Sequence, residues 1–510
     1  MTMHPPEPGP TPAIAAMPAA SPARSPVVWT AILASSLVFA DGAIVTVAVP
    51  AMRESLQASL PQMQWITNAY ALTLSALLLL GGAAGDAYGL RRIFMIGIAV
   101  FGLASAACGL CASAGALIAA RAAQGVGGAL LVPGSLALIS AHFPSEARGR
   151  AIGTWAAASG IAAALGPILG GWLVDIGPWQ AIFWINIPVA ALALWLCWRH
   201  VPESPAKADP RMDWPGAALA VAGLAALAYG LTAFGEAAAG PGMASLATAA
   251  GAALLVVFVL HERRAPAPMM PLDLFAIPAF ANVNALTLLL YFALSGALFF
   301  LPATLIEAHG YAAAEAGSIF LPFTLVMAVL SRWGGGLADR FGVRMLLTVG
   351  PALTGLSFAA LIPAVADGRY WPAVTPAMLL MGCGMGITVA PLSTTVMNAA
   401  PPDRMGVASG INNAVSRVAG LVAVAGLGMV ATLGFRHAAG SAAPDVAQAF
   451  ATATFGSLPV AAAPLAQPVA EAYARATITG FGAVAALSAV AGLASAWFGW
   501  RCTSSNPPVG

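Results

Sequence analysis

The chain has 510 residues, of which 60% are hydrophobic and 8% are charged, with a net charge of +2 and a mean hydropathy of +0.85. Soluble domains carry about 25% charged residues, so this composition excludes a water-soluble protein. The chain also lacks the clustered Lys and Arg residues that a nucleic-acid partner requires.

In chain order, residues 1–26 are rich in Pro and Ala and are predicted to form a disordered cytoplasmic tail. Long apolar blocks follow, each able to cross a hydrocarbon core about 30 Å thick as a helix. They are too long for the strands of an outer-membrane barrel. The sequence therefore predicts an all-α membrane protein with about fourteen transmembrane helices. Approximate spans are 27–50, 62–85, 93–113, 115–140, 149–173, 180–198, 213–234, 242–261, 279–306, 313–337, 342–364, 372–399, 405–433 and 476–500.

The positions of Lys and Arg predict the orientation, because cytoplasmic loops are enriched in these residues. With the N-terminus inside, fifteen of the 21 Lys and Arg residues lie on the cytoplasmic side. Four lie outside, namely Arg53, Arg369, Arg436 and Arg475, and two fall within spans. The bias predicts that both termini are cytoplasmic, in the inner membrane of a bacterium.

An internal repeat predicts two related halves. The pattern Gly82-x-x-x-Asp86-x-x-Gly89-x-Arg91 recurs as Gly335-x-x-x-Asp339-x-x-Gly342-x-Arg344. Each copy lies at the cytoplasmic end of a second span. Repeats of this kind build many transporters, whose binding site lies between the repeats near the middle of the membrane.

The repeat predicts a six, two and six arrangement of the spans. The predicted units are a six-helix half at 27–198, a two-helix insertion with flanking loops at 199–278, and a second six-helix half at 279–500. An external loop is predicted at 434–475, and a second cytoplasmic tail at 501–510.

Several stretches together resemble the fourteen-span drug:proton antiporters of the major facilitator superfamily. They are Asp41 to Pro50 in span one, Gln64 to Tyr70 in span two, the loop motif from Gly82 to Arg92, Arg121 to Gly127 in span four, Gly166 to Gly171 in span five, and Asn186 to Pro188 in span six. The resemblance implies the major facilitator fold. Two span-one positions depart from the family pattern, since Ala43 and Thr46 stand where Thr and Asn are usual.

Asp41 is the one acidic residue predicted to lie deep within a span, where an ionised carboxylate is costly unless it is paired or protonated. Such a group can bind and release protons, although a fixed ion pair or a capping role is the alternative. The resemblance implies that Arg121 in span four modulates the proton affinity of Asp41. A structural partner of backbone carbonyls is the alternative role for Arg121.

Two motifs are predicted to act on conformation. The resemblance implies that Gly166, Pro167, Gly170 and Gly171 pack span five tightly and favour exchange over leak, with plain helix packing as the alternative. The loop motif residues are predicted to gate the movement of the halves, either by capping a helix or by pairing acid with arginine. These residues are Gly82, Asp86, Gly89, Arg91, Gly335, Asp339, Gly342 and Arg344.

Candidate substrate-binding residues are aromatic or polar side chains within spans. They are Trp65, Tyr70, Gln124, Trp155, Tyr291, Asn412, Asn413 and Arg417. The aromatic rings could line a cavity for flat apolar or cationic ligands. Lipid-facing placement of the rings and interhelical hydrogen bonds of the polar groups are the alternatives.

The predicted function is the export of an amphipathic small molecule in exchange for protons, by alternating access. A dedicated exporter of one metabolite or self-made antibiotic is the alternative, and a non-transporting sensor with the same fold is an alternative of another class. An enzyme is not expected, nor is a cofactor or metal, and Cys108 and Cys111 are interpreted as two small buried residues. Expected partners are the substrate, protons and membrane lipid, with a periplasmic adaptor as a further candidate.

Overall fold

A computed structural model describes residues 25–143, 145–203, 212–234, 241–266, 268–401, 404–440, 455 and 467–502. The regular secondary structure of these residues is entirely helical, which confirms the predicted all-α class. The tails predicted at 1–26 and 501–510, and the loop predicted at 434–475, lie largely outside the described residues.

Sixteen α-helices are described. The first seven are α1 (Ser25–Leu56), α2 (Leu60–Tyr88), α3 (Leu90–Leu110), α4 (Ala114–His142), α5 (Ser145–Ile176), α6 (Ala181–Trp184) and α7 (Asn186–His200). The next are α8 (Trp214–Ala233) and α9 (Pro241–Glu262). After a 3₁₀ turn at Leu272–Ala276 come α10 (Pro278–His309), α11 (Ala313–Ser318), α12 (Phe320–Phe341) and α13 (Val343–Asp367). A π-helical turn at Tyr370–Val374 leads into α14 (Thr375–Asn398), followed by α15 (Met405–Gly440) and α16 (Gln467–Arg501).

Two predicted spans are each interrupted by a short break. The span predicted at 180–198 is divided at Ile185 into α6 and α7, and the span predicted at 313–337 is divided at Ile319 into α11 and α12. Helices α15 and α16 extend into the predicted external loop, because α15 continues to Gly440 and α16 begins at Gln467.

Thirteen helical segments of the described chain are long and apolar enough to cross a membrane. Helix α2 has 29 residues, and its second half contains the apolar run 77–80. Its first half carries polar residues such as Gln64 and Asn68, and both are buried inside the bundle. The multi-span class is thus confirmed, whereas fourteen spans stays a prediction.

The helices form two packed groups. Helices α1 to α7 contact one another, chiefly through α2 on α4, α1 on α5 and α3 on α4. Helices α10 to α16 do the same through α13 on α16, α10 on α16 and α12 on α14. Helix α8 packs on α9 and also touches α2 and α15, one helix from each group. The predicted domain boundaries stay predictions.

The two groups meet at one end of the bundle, which we call the closed end; it contains the end of α5 and the start of α11. There the backbone N–H of Ala314 donates a hydrogen bond of 2.8 Å to Oδ2 of Asp175. On α1, Arg53 donates a hydrogen bond of 3.2 Å to the carbonyl of Phe455, which lies between α15 and α16. The opposite end, where α2 meets α3 and α12 meets α13, is called the loop-motif end.

The two copies of the loop motif form equivalent turns. Gly89 connects α2 to α3 with φ of 96°, and Gly342 connects α12 to α13 with φ of 80°. Residues with a side chain rarely adopt this backbone conformation. The glycine that the repeat places at both positions is therefore required by the turn.

Candidate functional site

A buried ion pair lies near the middle of the first group of helices. The carboxylate of Asp41 on α1 binds Nη1 of Arg121 on α4 through its Oδ2 atom. Both residues are almost completely enclosed, with 1% and 0% exposure. The structure thus brings together the two residues that the sequence singled out within spans one and four.

The other carboxylate oxygen of Asp41 is held by two amides. Gln124 on α4 and Asn186 at the start of α7 each donate a hydrogen bond of 2.9 Å to Oδ1. Gln124 also accepts a bond of 2.6 Å from Nη1 of Arg121, so it binds both members of the pair. All of these groups donate to Asp41, an arrangement that suits an ionised carboxylate.

A second layer of contacts fixes the amides. The hydroxyl of Ser105 on α3 accepts hydrogen bonds from Asn186 at 3.0 Å and Gln124 at 3.3 Å, and it donates to the carbonyl of Phe183 at 2.9 Å. From the sequence, Asn186 was recognised only as part of a family motif, and Ser105 was not predicted to belong to the site. A Ser on one span and an Asn on another give no signal of a shared partner without the tertiary contacts.

Arg121 is enclosed by rings and by the backbone of α2. Its guanidinium carbon lies 4.2 Å from the ring centroid of Tyr70 and 5.7 Å from that of Phe183. Its Nε donates a hydrogen bond of 3.2 Å to the carbonyl of Ile66. Its Nη2 is buried and has no hydrogen-bond partner among the described residues. This nitrogen of Arg121 could therefore donate a hydrogen bond if the side chains of the site rearranged.

Small residues allow α2 and α4 to approach closely enough for these contacts. A side chain at Gly125 would lie 2.4 Å from the carbonyl of Tyr70. Beside it, the hydroxyl of Thr73 donates a hydrogen bond of 2.8 Å to the carbonyl of Ala122. Close packing at small residues with interhelical hydrogen bonds is typical of membrane helices.

A cavity of about 510 Å³ lies between the two groups of helices, next to the ion pair. Most of its wall is apolar. Its lining includes Phe39, Gly42, Ala43 and Thr46 from α1, Thr67, Asn68 and Tyr70 from α2, Gly160, Ala163 and Pro167 from α5, Tyr291, Ser295, Leu298 and Phe299 from α10, Phe320, Phe323, Thr324 and Met327 from α12, and Asn413, Ser416, Arg417 and Gly420 from α15. Its volume and apolar character are those of a small-molecule site.

Tyr70 connects the ion pair with the cavity. Its ring lines the cavity and also stacks on the guanidinium of Arg121. Its hydroxyl donates a hydrogen bond of 2.9 Å to the carbonyl of Val38, which fixes the ring against α1. A molecule in the cavity that touches this ring therefore lies one side chain away from Arg121.

The predicted substrate-binding residues fall into two sets. Tyr70, Tyr291, Asn413 and Arg417 line the cavity. The other four lie outside its wall. Trp65 packs with α8 and α15, Gln124 binds Asp41, Trp155 donates its indole N–H to Ser35 at 2.8 Å, and Asn412 binds Asn284 and Thr287 on α10.

Several wall residues were not predicted from the sequence, including Phe39, Asn68 and Phe323. Phe39 lies two positions before Asp41, and Asn68 is a polar residue deep within a span, so each carried a signal. Ala43 and Thr46, the two departures from the family pattern in span one, both line the cavity. These departures therefore change the surface of the cavity.

The glycines of span five contact both groups of helices. Side chains at Gly166 and Gly170 would meet carbonyls of α1 at 2.9 Å and 2.7 Å. A side chain at Gly171 would lie 2.5 Å from the carbonyl of Ala313 on α11, in the other group. Gly317 of α11 approaches the carbonyl of Pro167 in the same way. The motif thus forms part of the closed end.

The loop motif arginines contact their own groups of helices. Arg91 donates a hydrogen bond of 2.7 Å to the carbonyl of Trp198 near the end of α7. The guanidinium carbon of Arg344 lies 4.7 Å from the ring of Trp500 near the end of α16. Gly82 faces Pro133 of α4 at an ordinary contact distance. The side-chain surroundings of Asp86, Gly335 and Asp339 lie outside the described residues.

Comparison with known proteins decides the family. The family model described as Major Facilitator Superfamily matches residues 31–424. The chain belongs to the major facilitator superfamily. This superfamily consists of transporters, which are not enzymes, so the chain is a multi-pass protein of a bacterial membrane that moves small molecules.

Curated relatives in the superfamily carry names that refer to resistance or export. The chain is 35% identical over 404 residues to the multidrug resistance protein Stp of Mycobacterium tuberculosis, covering 77% of this chain and 73% of the relative. It is 34% identical to the methylenomycin A resistance protein of Streptomyces coelicolor, with 78% and 84% covered. It is 33% identical to the cephamycin export protein CmcT of Amycolatopsis lactamdurans, with 87% and 92% covered.

Solved structures agree on the fold. A bacterial homologue of the human lysosomal transporter Spinster, in an inward-facing and unoccupied conformation, superimposes with a TM-score of 0.70 at 18% identity. The alignment covers 96% of this chain and all of that one. A D-xylose–proton symporter superimposes with a TM-score of 0.62 at 15% identity. These likenesses show the major facilitator fold.

Proposed function

We propose that the protein exports amphipathic small molecules from the cytoplasm in exchange for protons, with Asp41 as the proton-binding residue. The observation that carries the proposal is the enclosed Asp41–Arg121 pair, which lies one ring away from a cavity between the two groups of helices. Relatives named for multidrug resistance and antibiotic export support the direction of transport.

Proton binding at Asp41 changes what holds the site together. A neutral carboxyl no longer attracts Arg121, whose cation is then left buried without its counter-ion. Loss of one partner of a buried ion pair costs about 3–5 kcal/mol. Protonation therefore favours a different arrangement of α1 and α4. Since α1 also packs on α5, this rearrangement reaches the contacts of Gly166 and Gly170.

Alternating access requires the closed end to separate. In the proposed orientation both termini and the loop-motif end face the cytoplasm, as the distribution of Lys and Arg favours. The closed end then faces outward, and the observed conformation is the one that receives substrate from the cytoplasm. Opening outward would break the contacts of Gly171 with Ala313 and of Asp175 with Ala314.

Protons and membrane lipid complete the proposed set of partners, with a periplasmic adaptor as a further candidate. The membrane is proposed to be the inner membrane.

A second candidate function is dedicated export of one antibiotic or metabolite. Relatives named for single compounds, methylenomycin A and cephamycin, favour it. Resistance to one chemical class would support this candidate, whereas resistance to unrelated classes would support a multidrug exporter.

The proposal is tested by a resistance screen in a host that lacks its major efflux pumps. The host expresses the intact protein, Asp41→Asn or Asp367→Asn at matched levels in the membrane. Asp367 is an exposed acid that pairs with Arg369, so its variant is the control. We expect resistance from the intact protein and from Asp367→Asn, and none from Asp41→Asn. Full resistance from Asp41→Asn would refute the role of Asp41.

A further inference from the structure

Arg417 is a charged side chain in the wall of the cavity, and it is the one charged group among the described lining residues. It belongs to α15, and its guanidinium carbon lies 5.5 Å from the ring centroid of Phe39 on the opposite side of the group interface. No hydrogen bond or ion pair joins it to another described residue. The cation therefore faces the cavity without a counter-ion in the described part of the chain.

The neighbouring charges do not neutralise Arg417. Asp41 is bound by Arg121 and by two amides, and those contacts occupy both of its oxygens. Asp41 itself is buried and is not among the residues that line the cavity. The cavity thus carries one net positive charge in apolar surroundings, where charges within membrane spans are usually paired. An anion in the cavity would supply the missing partner, and a cation would be repelled.

The other residues of the cavity wall indicate the chemical character of the uncharged part of that anion. Tyr291, Phe323 and Met327 offer apolar and aromatic surface. On α2, the side-chain nitrogen and oxygen of Asn68 and the hydroxyl of Thr67 are buried and have no hydrogen-bond partner among the described residues. A buried polar group without a partner is costly. A ligand with an aromatic body would match the apolar wall, and a carbonyl or hydroxyl group on it would suit a lining that also includes Thr67 and Asn68.

We propose that the substrate is an amphipathic organic anion, such as an aromatic carboxylate, whose acidic group binds Arg417 and whose body lies against the aromatic wall. This inference rests on the proposed function, because it takes the cavity as the substrate site. The sequence had suggested a flat apolar or cationic ligand, and the unpaired cation of Arg417 disfavours the cationic one. A carboxylate can take two parallel hydrogen bonds from one guanidinium, which gives this contact both strength and orientation.

The test compares three probes with the same ring system and tether: pyrenebutyrate, its uncharged amide, and pyrenebutylammonium. Binding to the full-length protein in nanodiscs is measured by equilibrium dialysis, with empty nanodiscs subtracted. The variants are Arg417→Gln, Arg417→Lys, which retains the positive charge, and Arg369→Gln. Arg369 is exposed and paired with Asp367 outside the cavity, so its variant is the control.

We expect the intact protein to bind the butyrate roughly ten- to a hundredfold more tightly than the amide, and the ammonium most weakly. Arg417→Gln removes the preference for the anion, Arg417→Lys retains part of it, and Arg369→Gln retains all of it. Equal binding of the three probes, a preference for the ammonium, an anion preference that survives Arg417→Gln, or no binding of the butyrate would overturn the proposal.

Failure of this inference is distinguishable from failure of the proposed function. If the ammonium probe binds best and is exported only when Asp41 is intact, the exporter proposal stands and the anion proposal falls. If the butyrate binds through Arg417 but its export does not depend on Asp41, the anion proposal stands and the coupling role falls.

Discussion

The ring of Tyr70 lies 4.2 Å from the guanidinium carbon of Arg121, and the same ring lines the inter-group cavity. One side chain thus separates the ion pair from the cavity in which the substrate is proposed to bind. The contact is a cation–π interaction, which contributes about 2 kcal/mol or more when it is shielded from water.

We expect Tyr70→Leu to weaken the link between substrate and proton movement. Loss of the ring removes the cation–π contact and lets the substrate bind without disturbing Arg121. The number of protons moved per exported molecule, measured in proteoliposomes, should fall at least severalfold. Tyr70→Phe is the control, because it retains the ring and loses the hydroxyl bond to Val38. An unchanged proton ratio in Tyr70→Leu would contradict the role given to the ring.

The contact between Gly171 and Ala313 leads to a prediction about conformation. A side chain at Gly171 would lie 2.5 Å from the carbonyl of Ala313 in the other group, so Gly171→Ala should destabilise the closed end. Spin labels placed on both groups at the loop-motif end should then report shorter distances, as the molecule populates its other conformation.

Gly177→Ala provides the matched control for this measurement. Gly177 directly follows α5, and its added carbon would meet one atom, the carbonyl of Leu173, at 3.7 Å. The distribution of spin-label distances in Gly177→Ala should equal that of the intact protein. If Gly171→Ala also gives the unchanged distribution, the closed end does not depend on this close approach.

The Asp41–Arg121 pair should show strong energetic coupling. Arg121→Gln leaves a buried carboxylate without its cation and should lower the free energy of unfolding by about 3–5 kcal/mol. Adding Asp41→Asn to Arg121→Gln removes that unpaired charge and should restore most of the loss. The comparison uses thermal unfolding in one detergent at one pH. Additive losses in the double variant would show that the two side chains do not stabilise each other.

Cys111 provides a test of the proposed orientation. It lies between α3 and α4, at the end of the bundle that we propose faces outward, and it is half-buried. Burial raises the pKa of the Cys111 thiol above its usual value. Because the thiolate is the reactive form, its labelling should accelerate as pH rises and continue to do so beyond pH 9, roughly the ordinary thiol range.

The orientation experiment uses a variant in which Cys111 is the sole cysteine. A membrane-impermeant maleimide should label it in spheroplasts and not in sealed everted vesicles. The reverse pattern would place both termini outside. A variant that retains Cys502 alone is the comparison, because burial raises the pKa of that thiol to about 11 and should keep its labelling slow on either side.

The sequence was sufficient for the class of fold, because apolar blocks, the charge bias and the repeated loop motif are all local patterns. It also identified both members of the ion pair, since Asp41 and Arg121 are charges within long apolar spans. The partners Asn186 and Ser105 were not predicted, because a single polar residue in a span can bind many neighbours. Substrate contacts of Trp155 and Asn412 stay predictions, and in the structure their side chains donate hydrogen bonds to Ser35 and to Asn284.

The identity of the residues that line the cavity depends on which helix faces meet, and one sequence does not determine those faces. Arg417 shows the difference. In the sequence it is one of two arginines within spans, and an interhelical hydrogen bond was as reasonable as a substrate contact. In the structure it lies on the wall of the cavity across from Phe39, and no described acidic side chain binds it.

The central claim is that substrate export consumes a proton gradient through Asp41. The most direct test measures the internal pH of everted vesicles that contain the protein, after addition of a compound to which it confers resistance. We expect the compound to release protons from vesicles with the intact protein or Asp367→Asn, and no release above the empty-vesicle level with Asp41→Asn. Compound-dependent release of equal size in Asp41→Asn vesicles would contradict the claim.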